Sequence, residues 1–497
     1  MASGDFLLPI DRASPISLRD QLYRLLREAI LDGRLQPAAR LPSTRSVARQ
    51  TGLARQTVVE AYDQLVAEGY GVARLASGTY VAETLPDDLL QVRRRRKPVV
   101  PLRVGPAALS RRGAMLASIP ASQSRQYPAP RPFETGSPAL DAFPYELWGR
   151  IISGLLQRRS AEMLWYGNSA GYRPLREAIA THVSAARAAR CTVDQVIITA
   201  GTQQAVHLAA QVLLDPGDAV WVEEPGYQGG RGALLAADAR LVPVPVDAEG
   251  LDVAAGDTLA PNARLALVTP SRQYPLGVVM SLRRRRALLE WARRAGAWIL
   301  EDDYDSEYRY TGRPLASLQG LDTDGRVVYV GTLSKVLFPS LRLGFVVVPP
   351  VLVEPFERAR ALLDRQSPTL DQAALAEFMA DGHLARHIRR MRSLYAARHT
   401  TLLELGQRHL AGLLEVEPAE AGLHVLGWLP EGLDDCAVSS LARAAGLETP
   451  ALSAYYLGPR PRRGALLLGF SAFDADQLAR AVGQLATLLR GAISTAA

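Results

Sequence analysis

Six short apolar runs constrain this chain more than anything else in it: QVIITAG (195–201), DAVWVEE (218–224), RLALVTP (264–270), AWILEDD (297–303), RVVYVGT (326–332) and RLGFVVVP (342–349). Each lacks the polar alternation of a half-exposed strand, so each is expected to be buried on both faces, as strands are in a parallel sheet covered by helices. The stretches between them leave room for helical crossovers. From residue 126 onward the expected fold is therefore α/β with a mostly parallel sheet, and in such a sheet function sits where the strands end. A chain of 497 residues also exceeds what one core organises, so a second domain is expected.

The front of the chain supplies it. Residues 1–112 hold 18 Lys/Arg against 11 Asp/Glu and the remainder is balanced at 39 to 39, so the whole net charge of +7 lies in the first fifth. Charge gathered in this way suits a polyanion. In SLRDQLYRLLREAILDGRL, Leu18, Leu22, Leu25, Leu26, Ala29 and Ile30 recur at helical spacing, with Ser17 to cap the start and Gly33 the end. LPSTRSVARQTGLARQTVVEAYDQLVAEGY predicts a helix from near Ser43 to near Gly52, a sharp turn, and a second helix from about Ala54 to Glu68 with Val58, Ala61, Tyr62 and Leu65 facing inward. YGVARLASGTYVAE alternates as two short strands about a turn. Three helices and a hairpin over residues 12–84 make a winged helix-turn-helix, whose second helix of the turn pair fits a DNA major groove. Arg55, Gln56 and Thr57 stand at the start of that helix, where Arg can pair with guanine and Gln with adenine, and Arg45 opens the helix before it. Ser43 and the wing tip Ser77, Gly78 and Thr79 can meet phosphates by hydroxyl or backbone N–H. The competing reading is a solvated helix face.

Residues 85–125 contain PDDLL, RRRRKP, PLRVGP and SRRGAM, where Pro, Gly and a basic run break any periodicity. They read as a flexible basic linker. Two cysteines, Cys191 and Cys436, make no disulfide framework, the N-terminus lacks the basic region of a signal peptide, and no run of 18 uncharged apolar residues suggests a membrane span. The expected compartment is the cytoplasm.

Of 57 Lys and Arg residues, only Lys97 and Lys335 are Lys. Guanidinium stays protonated and is a poor nucleophile, whereas a buried amine can lose its proton and form a Schiff base. A Lys retained at 335, in GTLSKVLFPSLR, therefore points to amine chemistry, and three other motifs support it. ITAGTQQAVHLAA is strand, turn and helix, with Gly201, Thr202 and Gln203 offering N–H groups to a phosphate. EEPGYQGG places Tyr227 just past a strand, where its ring can stack on a flat cofactor. WILEDDYDSEY ends a buried strand in acids: Asp302 can hold a protonated ring nitrogen and Tyr304 a ring oxygen, with a metal or surface acid cluster as the alternative. Thr332, Ser334 and the Arg342 fork add phosphate ligands beside Lys335. An amine, an acid for a pyridine nitrogen and a phosphate cup together make a pyridoxal 5′-phosphate site, far more specific as a set than in its parts. No metal site is expected.

Residues 16–83, with the frame L..AI..GRL....RLPS.R..A...G..R.TV..AY..L...GY and the closing SGTYV, resemble the GntR-type winged helix of bacterial regulators. Residues 126–497, with AGTQQA, EEPGY, EDDYDSEYRY and GTLSK...PSLRLG, resemble fold type I aminotransferases. Winged helix, linker and aminotransferase body in that order resemble the MocR/GabR class of the GntR regulators. The resemblance implies DNA contacts from Arg45, Arg55, Gln56, Thr57 and Gly78. It implies the aldimine lysine at Lys335, the pyridine acid at Asp302, the 3-hydroxyl partner at Tyr304, stacking by Tyr227, and phosphate binding by Arg342, Thr332 and Ser334. WYGNSAGYRPLREA matches the segment that lends a Tyr to the neighbouring subunit, so Tyr166 implies a homodimer with shared sites. Ala54 departs from the usual Ser cap, Arg272 stands where members often carry His, and Gly229 stands where the GABA-responsive member has a ligand-contacting Arg. Arg460, Arg462 and Arg463 are candidates for holding an effector carboxylate. The expected function is a DNA-binding transcriptional regulator that senses a small amine or amino acid, or pyridoxal phosphate itself, at Lys335. The alternatives are a working aminotransferase with an autoregulatory DNA-binding domain, and a DNA-binding protein whose body is only a dimerisation block.

Overall fold

The computed structural model describes residues 9–74, 77–86, 109–118, 129–158, 160–310 and 315–496, and it divides into two compact units, residues 1–108 and 109–497. In the first unit, helices α1 (Leu18–Leu31), α2 (Thr44–Thr51) and α3 (Arg55–Ala67) precede an antiparallel hairpin of β1 (Gly71–Arg74) and β2 (Gly78–Val81), paired from Gly71↔Val81 to Arg74↔Gly78. The helix starts follow the capping residues. Ser17 Oγ accepts from Asp20 N and Ser43 Oγ from Ser46 N, while Ala54 gives α3 no side-chain bond. Gly52 ends α2 in the left-handed region at φ 66°, which turns the chain sharply into α3. Leu22, Leu26, Val47, Val58, Ala61 and Leu65 are fully buried in one small core. This is the winged helix that the capping and periodicity predict.

The expected linker narrows at both ends. Leu85 packs into the winged-helix core, and Arg111–Ser118 is a helix of the second unit, where Arg112 donates to the Ala236 carbonyl at 2.8 Å. Residues 87–108 and 119–128, including the RRRRK run, lie outside the described residues.

The second unit is built on an eight-stranded sheet in the order β3-β10-β9-β8-β7-β4-β5-β6. These strands are β3 (Val196–Thr199), β4 (Ala219–Glu224), β5 (Arg240–Asp247), β6 (Gly250–Leu251), β7 (Leu265–Val268), β8 (Trp298–Asp303), β9 (Val327–Thr332) and β10 (Gly344–Val347). Neighbours from β9 to β5 pair in parallel, β10 runs antiparallel to both β3 and β9, and β6 is an antiparallel edge. Six of the eight are the apolar runs of the sequence; β3, β7, β9 and β10 are buried at every residue. The run RLVPVPVD is a seventh strand, β5, despite Pro243 and Pro245. It lies near the sheet edge, with only the short β6 beyond it, where lost N–H donors matter least. A smaller antiparallel sheet of β11 (Glu415–Val416), β12 (His424–Trp428) and β13 (Ala465–Gly469) packs with the helices His383–His409 and Ala475–Ala496 around a core that includes Phe470, Tyr395 and Leu485. No helix among the described residues is long and apolar enough to cross a membrane.

Candidate functional site

Strand direction alone brings the site together. Because β10 is antiparallel to its neighbours, its start lies at the same sheet edge as the ends of β3, β4, β8 and β9. Gly201 and Thr202 follow β3, Tyr227 follows β4, Asp302 ends β8, Thr332 ends β9, and Arg342 precedes β10. Contacts tie these groups to one another. Thr202 Oγ1 donates to Asp302 at 3.4 Å, Gln203 Nε2 donates to the Gly229 carbonyl at 2.9 Å, and Ser334 N donates to Thr332 Oγ1 at 3.3 Å. A Cβ placed on Gly201 would stand 3.7 Å from an Arg342 guanidinium nitrogen, so that cation lies over the N-terminus of the helix Thr202–Leu213.

Lys335 is half-buried in the turn after β9, and its ammonium donates to the Gly136 carbonyl at 2.8 Å. Gly136 has φ 69°, and a Cβ there would stand 2.5 Å from Lys335 Nζ. The partner is 199 residues upstream, which no local pattern signals. Asp302 is buried, and burial together with Asp303 and Glu223 pushes its carboxyl up to about 8. Glu223 in turn accepts from Thr269 N and Oγ1 at 3.0 and 2.6 Å and from Gln273 Nε2 at 3.2 Å, yet burial still raises it to about 7. Glu223, Tyr227, Thr269 and Asp302 line one small cavity. Tyr227 makes an edge-on contact with Tyr274 at 6.0 Å between centroids, and burial and Asp302 raise its phenol to about 12. Tyr304 accepts from Arg272 Nη1 at 3.0 Å, and burial raises it well above the ordinary tyrosine value.

Tyr166 stands apart from this group. It is 67 % exposed, lies under the Arg365 guanidinium at 4.7 Å, and adjoins Leu164 and Trp165, which are 82 % and 73 % exposed. The Arg candidates in YYLGPRPRRG are engaged elsewhere or exposed. Arg463 donates to Glu415 and the Leu429 carbonyl, Arg460 approaches Asp434 at 3.5 Å, and Arg462 is exposed.

On the winged helix, Arg45, Arg55 and Gln56 are exposed and Thr57 is half-buried, with Gln56 donating to Glu60 at 3.3 Å. Ser43 Oγ accepts from Ser46 N at 3.1 Å, which leaves its proton free for a phosphate. At the wing, Ser77 Oγ and the Tyr80 hydroxyl are 2.7 Å apart, Arg74 lies over the Tyr80 ring at 4.6 Å, and Gly78 and Thr79 follow in β2. Arg40, which no local sequence pattern singles out, reaches the wing: a Cβ on Gly78 would stand 3.2 Å from its Nε.

A winged helix joined to a body with the sheet order and lysine turn of an aminotransferase defines a class of bacterial regulator. Residues 18–81 match the family described as bacterial regulatory proteins, gntR family, and residues 151–449 match aminotransferase class I and II. The chain is 40% identical over 96% of its length to the "Probable rhizopine catabolism regulatory protein MocR" of Rhizobium meliloti, covering 95% of that protein. It is 31% identical over 96% of its length to the pyridoxine biosynthesis transcriptional regulator PdxR of Corynebacterium glutamicum, again covering 96% of the relative. Among solved structures, α-aminoadipate aminotransferase LysN of Thermus thermophilus, complexed with N-(5′-phosphopyridoxyl)-L-leucine, superposes with a TM-score of 0.70 at 27% identity, over 77% of this chain and 98% of that one. The chain belongs to the MocR-type regulators of the GntR family, DNA-binding proteins whose large domain has the fold of the pyridoxal phosphate-dependent aminotransferases.

Proposed function

We propose that this chain regulates transcription as a homodimer, binding duplex DNA through its winged helix and sensing a small amine, an amino acid or pyridoxal phosphate itself at Lys335. The observation that carries the reading is the convergence of Lys335, Asp302, Tyr304, Tyr227, Thr202 and Arg342 at one sheet edge. Two buried groups fit the cofactor. Ser334 Oγ has no hydrogen-bond partner among the described residues, and Asp302 is a buried carboxyl with one long hydrogen bond and acidic neighbours. The first suits a phosphate oxygen and the second a cationic ring nitrogen.

When bound, pyridoxal phosphate supplies an electrophilic carbonyl carbon and a ring that accepts electrons. The chain's residues do the rest. Lys335 provides the amine, and the Gly136 carbonyl orients it. Asp302, as a carboxylate, holds the proton on the ring nitrogen. Tyr304 donates to the ring oxygen, and Tyr227 covers a ring face. Gly201, Thr202 and Gln203 offer the helix N-terminus to the phosphate, with Thr332, Ser334 and Arg342 completing the cup. Tyr166 reaches the phosphate of the partner's site, a role supported by the exposed Leu164–Trp165–Tyr166 run. In the other unit, Arg55, Gln56 and Thr57 read bases, while Ser43, Arg45, Ser77, Gly78 and Thr79 position the backbone. An effector moves the regulator only as far as its affinities for two states differ.

The test is the visible absorption of the purified protein loaded with pyridoxal phosphate, before and after borohydride, with operator binding measured alongside. A reducible visible band and operator affinity that changes with an amine support the reading. Steady keto-acid formation from an amino acid pair, without any promoter fragment bound, replaces it with an aminotransferase.

A further inference from the structure

Arg272 is a buried cation beside Tyr304 that no role so far uses. It stands at 4 % exposure in the loop after β7, at the position where the resembling family often carries His. Its Nη1 donates to the Tyr304 hydroxyl at 3.0 Å and to Asp305 Oδ2 at 3.3 Å, and lies 3.3 Å from His424 Nδ1; its Nη2 donates to the His424 carbonyl at 2.8 Å. The socket is made by glycine. A Cβ on Gly422 would stand 2.4 Å from Arg272 Cζ, and one on Gly277 would stand 3.6 Å from Nη2. Both glycines have positive φ, 89° and 80°, so the backbone itself closes over the guanidinium.

We propose that Arg272 is a positioning residue for Tyr304: it fixes the phenol as a donor toward the cofactor and keeps a permanent positive charge within electrostatic reach of the Lys335 nitrogen. The inference rests on the pyridoxal phosphate reading above. Guanidinium has donors only, so the Tyr304 oxygen must accept from it, and the phenol's proton is then free to point elsewhere. Among the described residues no acceptor takes that proton. Charge acts in the same place. Asp305 and His424, both in contact with Arg272, also feel the charge of Lys335, so the lysine lies within electrostatic reach of the Arg272 cluster. Arginine keeps its charge at any working pH, whereas a histidine in its place would titrate near neutrality.

The charged and titratable groups around Arg272 are few. Tyr304 and Asp305 face it from the end of β8, Tyr310 from the segment beyond, His424 from β12 and His399 from the long helix; Tyr274 lies within its own loop. His424 is held neutral, because burial and Arg272 lower it far below the ordinary histidine range. Its Nε2–H donates to the Pro275 carbonyl at 3.1 Å, which leaves Nδ1 to accept from Arg272. Among the described residues Asp305 is the one carboxylate in direct contact with Arg272, and burial raises it to about 7 although Arg272 lowers it, so deleting the arginine mainly removes a positive charge from the surroundings of the Lys335 nitrogen. The nitrogen then holds its proton to higher pH.

The test compares wild type, Arg272→Lys, Arg272→Met and Arg272→His, each loaded with pyridoxal phosphate. The readouts are the pH midpoint of the visible band and the Kd for pyridoxal phosphate by absorbance titration. The thermal midpoint and operator binding serve as checks on folding. Arg272→Met should raise the band midpoint by about 1 unit and weaken cofactor binding about 10-fold. Arg272→Lys keeps the charge but loses the fork, so it should fall between wild type and Arg272→Met. If Arg272→Met does not fold, Arg272→His is the deciding variant, and its midpoint should rise as well. A folded, loaded variant lacking the arginine that titrates at the wild-type midpoint overturns the proposal while leaving the cofactor reading intact. A wild-type protein without any visible band rejects both.

Discussion

Arg45, Arg55 and Gln56 of the winged helix stand in solvent, whereas Asp302 and Arg272 of the body are buried and Tyr304 is half-buried, each held by residues distant in the sequence. Exposed groups act nearly independently: solvent screens each from the next, and removing one costs one contact. Buried groups act as a set, because the low dielectric makes every proton and charge depend on its neighbours. The winged helix should therefore respond to mutation in small, additive steps, and the body in large, coupled ones.

The largest effect should come from Lys335→Ala. It should abolish the borohydride-reducible visible band outright while shifting effector-free operator affinity less than about 3-fold. Loss of both together would mean that the units are not separable in the way the contrast requires. Next is Asp302→Asn, read as the pH dependence of stability in cofactor-free protein. The folded carboxyl titrates near 8 and the unfolded one near 3.8. The folded state thus keeps a proton that the unfolded chain has released, and stability is lost as pH rises from about 4 to 8. Thermal melts across that range should fall in wild type and fall less in Asp302→Asn, with Glu223, which titrates near 7, carrying part of what remains. An unchanged slope would show that Asp302 is ionised before the cofactor arrives.

The winged-helix effects are smaller. Arg55→Ala should cost about 1–3 kcal/mol of operator binding and relax preference at one base pair. Arg45→Ala should weaken all sequences alike and lower the salt slope by about 1. Gel-shift titrations of the single and double variants at two salt concentrations would check both, and strong non-additivity would break the contrast. The smallest effect concerns caps. Ser43→Ala should cost about 1 kcal/mol and Ala54→Ser should recover a similar amount, read by denaturant unfolding of the winged-helix transition in the full chain.

Legibility follows the same division. The winged helix was readable because its determinants are local: Ser17, Ser43, Gly52 and the spacing of Val58, Ala61 and Leu65 specify each element within a few residues. In the body the strands were readable from apolar runs, and strand direction then placed Asp302, Thr332 and Arg342. The strand β5 was not readable, since Pro243 and Pro245 argue against a strand unless its place near the sheet edge is known. Gly136 on Lys335, and Gly422 over Arg272, were not readable either: each is a contact between segments more than a hundred residues apart that carry no pattern of their own. Arg463 shows the opposite failure, a plausible residue type in a plausible region that packs against Trp428 and Glu415 instead.

Gly136 carries a genetic consequence. Every amino-acid change from a glycine codon adds at least a Cβ, and here that atom would lie 2.5 Å from the Lys335 amine. The lysine tip is the softest thing in its path, so the tip would move, and the left-handed φ of 69° would add local backbone strain in the loop around residue 136. A missense allele at this codon should thus yield a protein that still folds and still finds its operator, but whose amine is out of place. In a genetic screen it would look like a regulator stuck in one setting, with its lesion nearly two hundred residues from the lysine it disables.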